Sequence, residues 1–246
     1  MTFKEWHQYF QTNQDHFDYI KWKGEMELDG NEEKLITNSI QQFQKGENSD
    51  GKHLMKLSEK MKDENYTLAI KGLIKEEQNH AAALAQFMAQ ENINKIDGHW
   101  LDAIFKRIIK TPSLELTIMI LLAAEIVATV YYKALRQATY SRTLKSICRQ
   151  ILVDETMHIK FQASALRVFY KNHSLFGRFA IRNFYLTFMM ITSLVVWFQY
   201  RNVWKAGGYS FIKCMHTLLK EFAKATRMII GKAPIVHPQN IQSYVS

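Results

Sequence analysis

ILVDETMH, residues Ile151 to His158, runs from aliphatic side chains into an aspartate, a glutamate and a histidine. A helix that buries Ile151 turns Glu155 and His158 toward the same interior, because residues three, four and seven apart share a face. A carboxylate and an imidazole one turn apart can reach one point, which is metal-ligand spacing. Alone, the spacing decides little. With 15 glutamates and 9 histidines in 246 residues, chance supplies roughly 0.5 such matches.

The copy of the motif decides more. KEEQNH holds Glu77 and His80, 78 residues upstream of Glu155 and His158, and each pair follows a further acid, Glu76 or Asp154. Glu47 precedes Glu77 by 30 residues, and Glu125 precedes Glu155 by 30. The midpoints fall at residue 62, in MKDENY, and at residue 140, in ATYSRT, both polar breaks. Two side chains equally far from the turn of an antiparallel helical hairpin lie at one level, here about 22 Å from the turn. The pattern predicts one helical hairpin used twice, each setting a glutamate opposite an E-x-x-H pair.

Composition bounds the setting. The chain is 47% hydrophobic with 10 Gly and 3 Pro, enough for one helical domain with a sizeable core, and strand signals are scarce. Cys148 and Cys214 form no C-x-x-C pair and no disulfide framework, which fits a reducing cytoplasm and excludes a thiolate metal site. The N-terminal MTFKEWHQYFQTNQDHF lacks the uninterrupted apolar core of a signal peptide. A net charge of +9 is compatible with anionic lipid, acidic substrates or nucleic acid. The basic residues are spread along the chain without a nucleic-acid motif, so no nucleic-acid partner is expected.

Along the chain, residues 1–30 are rich in aromatics and predict a short helix and an arm laid across a bundle. Helices are predicted at about 31–61, 66–92, 113–140 and 142–171. The first has a core stripe of Ile36, Ile40, Phe43, Glu47, Leu54 and Met61. The poor helix formers Asn48 to Gly51 interrupt it, marking either an irregular helix or space beside Glu47. A crossover with a short amphipathic helix leads to Thr111 and Pro112, a helix start. In the third helix Glu125 is the only charge between Glu115 and Lys133. Residues 172–230 read as a helical extension with two further helices, and 231–246 as an extended tail. The uncharged run 183–200 is long enough for a marginal membrane span, but its Asn, Thr, Ser and Gln side chains suit a fifth helix on the bundle. A soluble, cytoplasmic protein is expected, with peripheral membrane contact through that run as the alternative.

Four glutamates at core positions of four helices would repel, and each would cost several kcal/mol to bury unpaired. Two divalent cations cancel four carboxylate charges, and two neutral imidazoles complete the coordination. A glutamate from each of two helices and E-x-x-H from each of two others resembles the ferritin-like di-iron carboxylate proteins. The resemblance covers about residues 31–171 and implies an all-α, ferritin-like four-helix bundle with a crossover between its second and third helices. It implies Glu47, Glu77, His80, Glu125, Glu155 and His158 as metal ligands, with Glu77 and Glu155 bridging and Glu47 and Glu125 mainly terminal. It also puts Glu76 and Asp154 where such proteins hold the imidazoles from behind.

An O₄N₂ donor set disfavours soft-ligand metals, and zinc prefers fewer ligands. Two iron ions are therefore expected, with manganese or a mixed pair as the alternative. A rubrerythrin-type peroxidase would need C-x-x-C pairs, and the aromatic-amine N-oxygenases carry another histidine where Ile151 stands. The chain looks most similar to small di-metal oxygenases of the fatty-aldehyde deformylating kind and to bacterial ferritin-like proteins without assigned substrates. That implies an enzyme using O₂ and an external electron donor to oxidise a small, lipid-like substrate. The alternatives are a ferroxidase, peroxide scavenger or metal-handling protein, or a non-catalytic helical protein. Tyr132, two turns from Glu125 on its face, reads either as a source of electrons or protons or as a packed core tyrosine.

Overall fold

The structure, a computed structural model, describes residues 1–14, 16–22, 24–98 and 111–234. It is all-helical, with no strand among the described residues. Helix α1 spans Phe3–Thr12 and opens with a reciprocal cap: the Glu5 amide donates to the Thr2 hydroxyl, and the Thr2 amide donates to the Glu5 carboxylate. Helix α2 spans Gly30–Glu47, capped by Asp29, whose carboxylate accepts from the Asn31 and Glu32 amides.

The expected single helix 31–61 is split. Asn48, Ser49 and Asp50 favour turns over helix interiors, and Gly51 adopts φ 63°, the left-handed conformation. A Cβ on Gly51 would stand 2.5 Å from Ile74. The chain resumes as α3, Lys52–Ser58, and a 3-10 turn, Glu59–Met61. Lys62, at φ 53°, reverses it, and Asp63 caps α4, Glu64–Gln90, by accepting from the Tyr66 amide. The reversal falls at the predicted midpoint of Glu47 and Glu77.

The second hairpin is continuous. Ser113 caps α5, Leu114–Ala138; a turn at 139–141 leads into α6, Arg142–Asn172, capped by Ser141. Helix α7, Leu175–Ala206, is far longer than the uncharged run that marked it, and departs from helical geometry at Tyr200. Helix α8 is Phe211–Ile229. The short helix expected in the crossover lies outside the described residues, as do 235–246 of the expected extended tail.

The packing explains the composition of each helix. Helix α5 packs most extensively on α6 and also meets α7 and α8, so it is apolar nearly all round. Helices α1 and α2 pack on α4, α4 and α8 on α6, and α7 on both α5 and α2. Phe43 of α2 stacks on Tyr131 of α5 at 3.5 Å, and the Tyr200 hydroxyl of α7 donates to the Gln42 side-chain oxygen. Trp6 and Phe10 of α1 are buried against α4, where a Cβ on Gly72 would stand 2.4 Å from that of Phe10. Burying an aromatic side chain of this size contributes about 1.5–3 kcal/mol. The arm beyond α1 is fastened at its far end: the Glu27 and Leu28 amides donate to Glu91, and Glu27 accepts from the Thr143 amide.

Candidate metal centre

The period of each helix turns its acids inward. Glu47 is the last residue of α2, Glu77 and His80 lie one turn apart on α4, Glu125 is midway along α5, and Glu155 and His158 lie one turn apart on α6. The structure brings all six together. Their donor atoms fall into two groups, Glu47, Glu77, His80 and Glu155, and Glu77, Glu125, Glu155 and His158. Within each group the atoms lie within 4.8 Å of one another, and Glu77 and Glu155 belong to both.

The donor atoms crowd together. His158 Nδ1 is 2.9 Å from Glu77, 3.5 Å from Glu125 and 3.9 Å from Glu155. His80 Nδ1 is 3.7 Å from Glu47 and 3.8 Å from Glu155. Both Nδ1 atoms, Oε1 of Glu77 and both carboxylate oxygens of Glu155 are buried without a hydrogen-bond partner. Orphaned polar atoms cost about 1–3 kcal/mol each, and a cation could satisfy this cluster. Donors at about 2.1 Å from an octahedral ion are roughly 3.0 Å apart at right angles and 4.2 Å across, close to the 2.9–3.9 Å between these atoms.

The far nitrogen of each imidazole is held. His80 Nε2 lies 3.1 Å from Asp154, and His158 Nε2 lies 2.8 Å from Glu76. The holding is crossed: the acid before each motif grips the histidine of the other. These carboxylates accept from Nε2–H and leave Nδ1 facing the cluster. The two lone glutamates are also tethered, Glu47 by the Tyr132 hydroxyl and Glu125 by the Gln162 amide, each at 2.8 Å. Tyr132 thus contacts Glu47 on the opposite hairpin.

Residues beyond the two motifs close the arrangement, and the sequence reading missed them. His16 Nδ1 lies 3.1 Å from Asp154, and Gln150 donates to that carboxylate at 2.9 Å. The Asn13 side-chain amide donates to Glu76. Phe10 and Phe17 lie 6.2 and 5.8 Å from the rings of His158 and His80. The arm is therefore the outer wall of the site. Its only advance signal was aromatic content, since a loop has no period to place His16 or Asn13.

No family model, curated protein or solved structure matches the chain. The chemistry is read from the cluster itself.

Burial pushes the carboxyl groups of Glu77 and Glu155 well above the usual range, and the neighbouring acids, Glu125 foremost, push them further. Burial also acts on Glu47, but His80 and Glu77 outweigh it and bring it down to about 2. Glu125 is likewise lowered against burial, by Glu155 and His158. Burial opposes protonation of the imidazoles, yet Asp154 and Glu47 raise His80 to about 10, and Glu125 and Glu76 raise His158. With only its own groups to balance it, the cluster holds protons at the atoms that face inward. Those protons must leave when a cation binds. Four carboxylates and two imidazoles are a fitting donor set for two borderline-hard divalent ions.

Proposed function

We propose that the chain is a ferritin-like di-metal oxidoreductase, with α2, α4, α5 and α6 as the four-helix bundle that holds its ions. The observation that carries this reading is the sharing of Glu77 and Glu155 between two donor groups, each completed by one imidazole and one lone glutamate. Iron is the proposed metal, with manganese or a mixed pair as the alternative. Two bound ferrous ions would supply electrons to O₂ and a Lewis acid for substrate, with an external donor restoring them. The chain's own residues do the rest. Asp154 and Glu76 orient the imidazoles, Tyr132 and Gln162 position the terminal glutamates, and Phe10 and Phe17 exclude water from the histidine side.

The proposed substrate is a small, lipid-like organic molecule. A second reading, oxidation of ferrous iron or reduction of peroxide without an organic substrate, draws on one feature. The Glu77 side chain is 23% exposed, whereas that of Glu155 is 1%. It lies by the polar break Asn48–Gly51, where Gln78 donates to the Ser49 carbonyl. That opening suits an ion. The grooves lined by Met119 and Ile181 include none of the six donor residues.

The test is anaerobic loading with Fe(II) or Mn(II), metal analysis, then exposure to O₂. About two ions per chain and an O₂-dependent absorbance change support the proposal; a folded chain that binds no metal under any loading condition overturns it. O₂ uptake that turns over with ferrous iron alone selects the second reading.

A further inference from the structure

Charge is divided along the chain in a way that the overall balance hides. The first 155 residues carry 20 basic and 22 acidic side chains; the last 91 carry 12 basic and one acidic, Glu221. No acid occurs from Thr156 to Lys220. The positive charge of the chain thus belongs to the end of α6 and to α7 and α8.

Helix α7 is apolar on two sides. Its inner side, with Met189, Val196 and Trp204, is buried. Its outer side carries Phe176, Phe184, Ile191, Leu194 and Phe198 at helical spacing. Phe176 is 81% exposed, Ile191 57% and Phe198 68%. At 1.5 Å per residue this row is about 33 Å long. Ile212, 79% exposed, and Phe211, whose ring lies 5.5 Å from that of Trp197, extend it at the start of α8. Single exposed apolar residues are ordinary on a surface, whereas a continuous row of this length marks an interface. Arg201 and Lys205 continue the same side of the helix at its C-terminal end, whereas Arg178 is turned back onto the Tyr170 and Lys171 carbonyls and Arg182 lies on the stripe of Met189 and Val196.

By length and hydropathy α7 could cross a bilayer. Its inner face argues against that, because a spanning helix would lose its packing on α5 and the bond from Tyr200 to Gln42. A second copy is also a poor occupant. Its helix would bring no acidic residue to meet Arg201 and Lys205.

We propose that the outer face of α7 seats the protein on an anionic lipid bilayer. The helix lies in the plane of the membrane, its phenylalanine row among the upper acyl chains and its flanking Arg and Lys side chains at the phosphates. This proposal stands independently of the metal centre.

The test is flotation of the full chain with vesicles of phosphatidylcholine and phosphatidylglycerol, against vesicles of phosphatidylcholine alone. The wild type is expected to float with the anionic vesicles and to detach as salt is raised. The double variant Ile191→Asp/Phe198→Asp changes only exposed side chains and should bind at least about tenfold more weakly. Circular dichroism verifies its fold. Arg201→Glu/Lys205→Glu should lose the preference for anionic lipid. Three results would overturn the proposal. They are a folded wild type that does not float, a double variant that floats equally well, and a wild-type dimer that the double variant converts to monomer, which would assign the face to a second copy.

Discussion

The hairpin of α2 and α4 and the hairpin of α5 and α6 deliver the same donors, a lone glutamate and a Glu/His pair, into surroundings of different build. In the first, the helix ends at Glu47 and Glu77 is partly open; in the second, Glu125 sits mid-helix and Glu155 is closed off. The tethers differ in the same sense. Glu125 is held by Gln162 of its own hairpin, whereas Glu47 is held by Tyr132 of the other. If the continuous, extensively packed hairpin is the scaffold, the interrupted one docked on it is the exchangeable side.

The largest expected effect separates shared donors from unshared ones. Glu77→Ala or Glu155→Ala should take the chain from about two ions to almost none, because both groups lose a donor. Glu47→Ala or Glu125→Ala should leave about one. Metal analysis after identical loading measures this, and equal losses from all four variants would break the two-group description. The pH dependence comes next. Groups held above their usual pKa carry protons in the metal-free fold and lose them on coordination, so affinity must rise with pH. The expected slope is about tenfold per pH unit for each proton displaced. Titration in weak buffer with an indicator dye should show proton release; none would mean that the inward atoms are not the ligands.

The crossed outer contacts give a smaller effect. Asp154→Asn should weaken the ion at His80, and Glu76→Gln the ion at His158, by about 10–100-fold each. Chelator competition distinguishes this from the uncrossed pattern, in which each acid would serve the histidine of its own motif. Gly51→Ala forces a left-handed residue against Ile74 and should cost about 1–2 kcal/mol, read by denaturant unfolding. If the first hairpin is the exchangeable side, the ion at Glu47 should also leave faster, with the ion at Glu125 unaffected.

How far the site was legible follows from where its regularity lies. Helical period and equal arms are properties of sequence offset, so the amino-acid sequence alone places Glu47, Glu77, Glu125 and Glu155 at one level, with both histidines one turn away on the same faces. The break after Glu47 was half-legible: Asn48 to Gly51 announced weakness, but whether a helix bends or stops depends on what packs beside it, here Ile74. The crossing of Asp154 to His80 and the closure by Asn13 and His16 are tertiary contacts without period, and nothing local encodes them. The exposed face of α7 was legible only in part. Its uncharged run stood out, whereas the missing acids from Thr156 to Lys220 were masked by basic residues spread evenly along the chain.

The smallest effect tests the tethers. Tyr132→Phe removes one buried hydrogen bond and should cost about 1 kcal/mol of stability, with a modest loss at the ion beside Glu47 alone. Gln162→Leu should do the same beside Glu125. Because Tyr132 reaches across from the scaffold, its loss should also speed removal of the first ion by chelator, an effect that Gln162→Leu should not share. The same variant decides what else Tyr132 does. If O₂ uptake by the reduced, fully loaded Tyr132→Phe protein matches wild type, the tyrosine is a tether. If uptake falls while occupancy is retained, its hydroxyl supplies a proton or an electron, and the link between the hairpins is part of the chemistry.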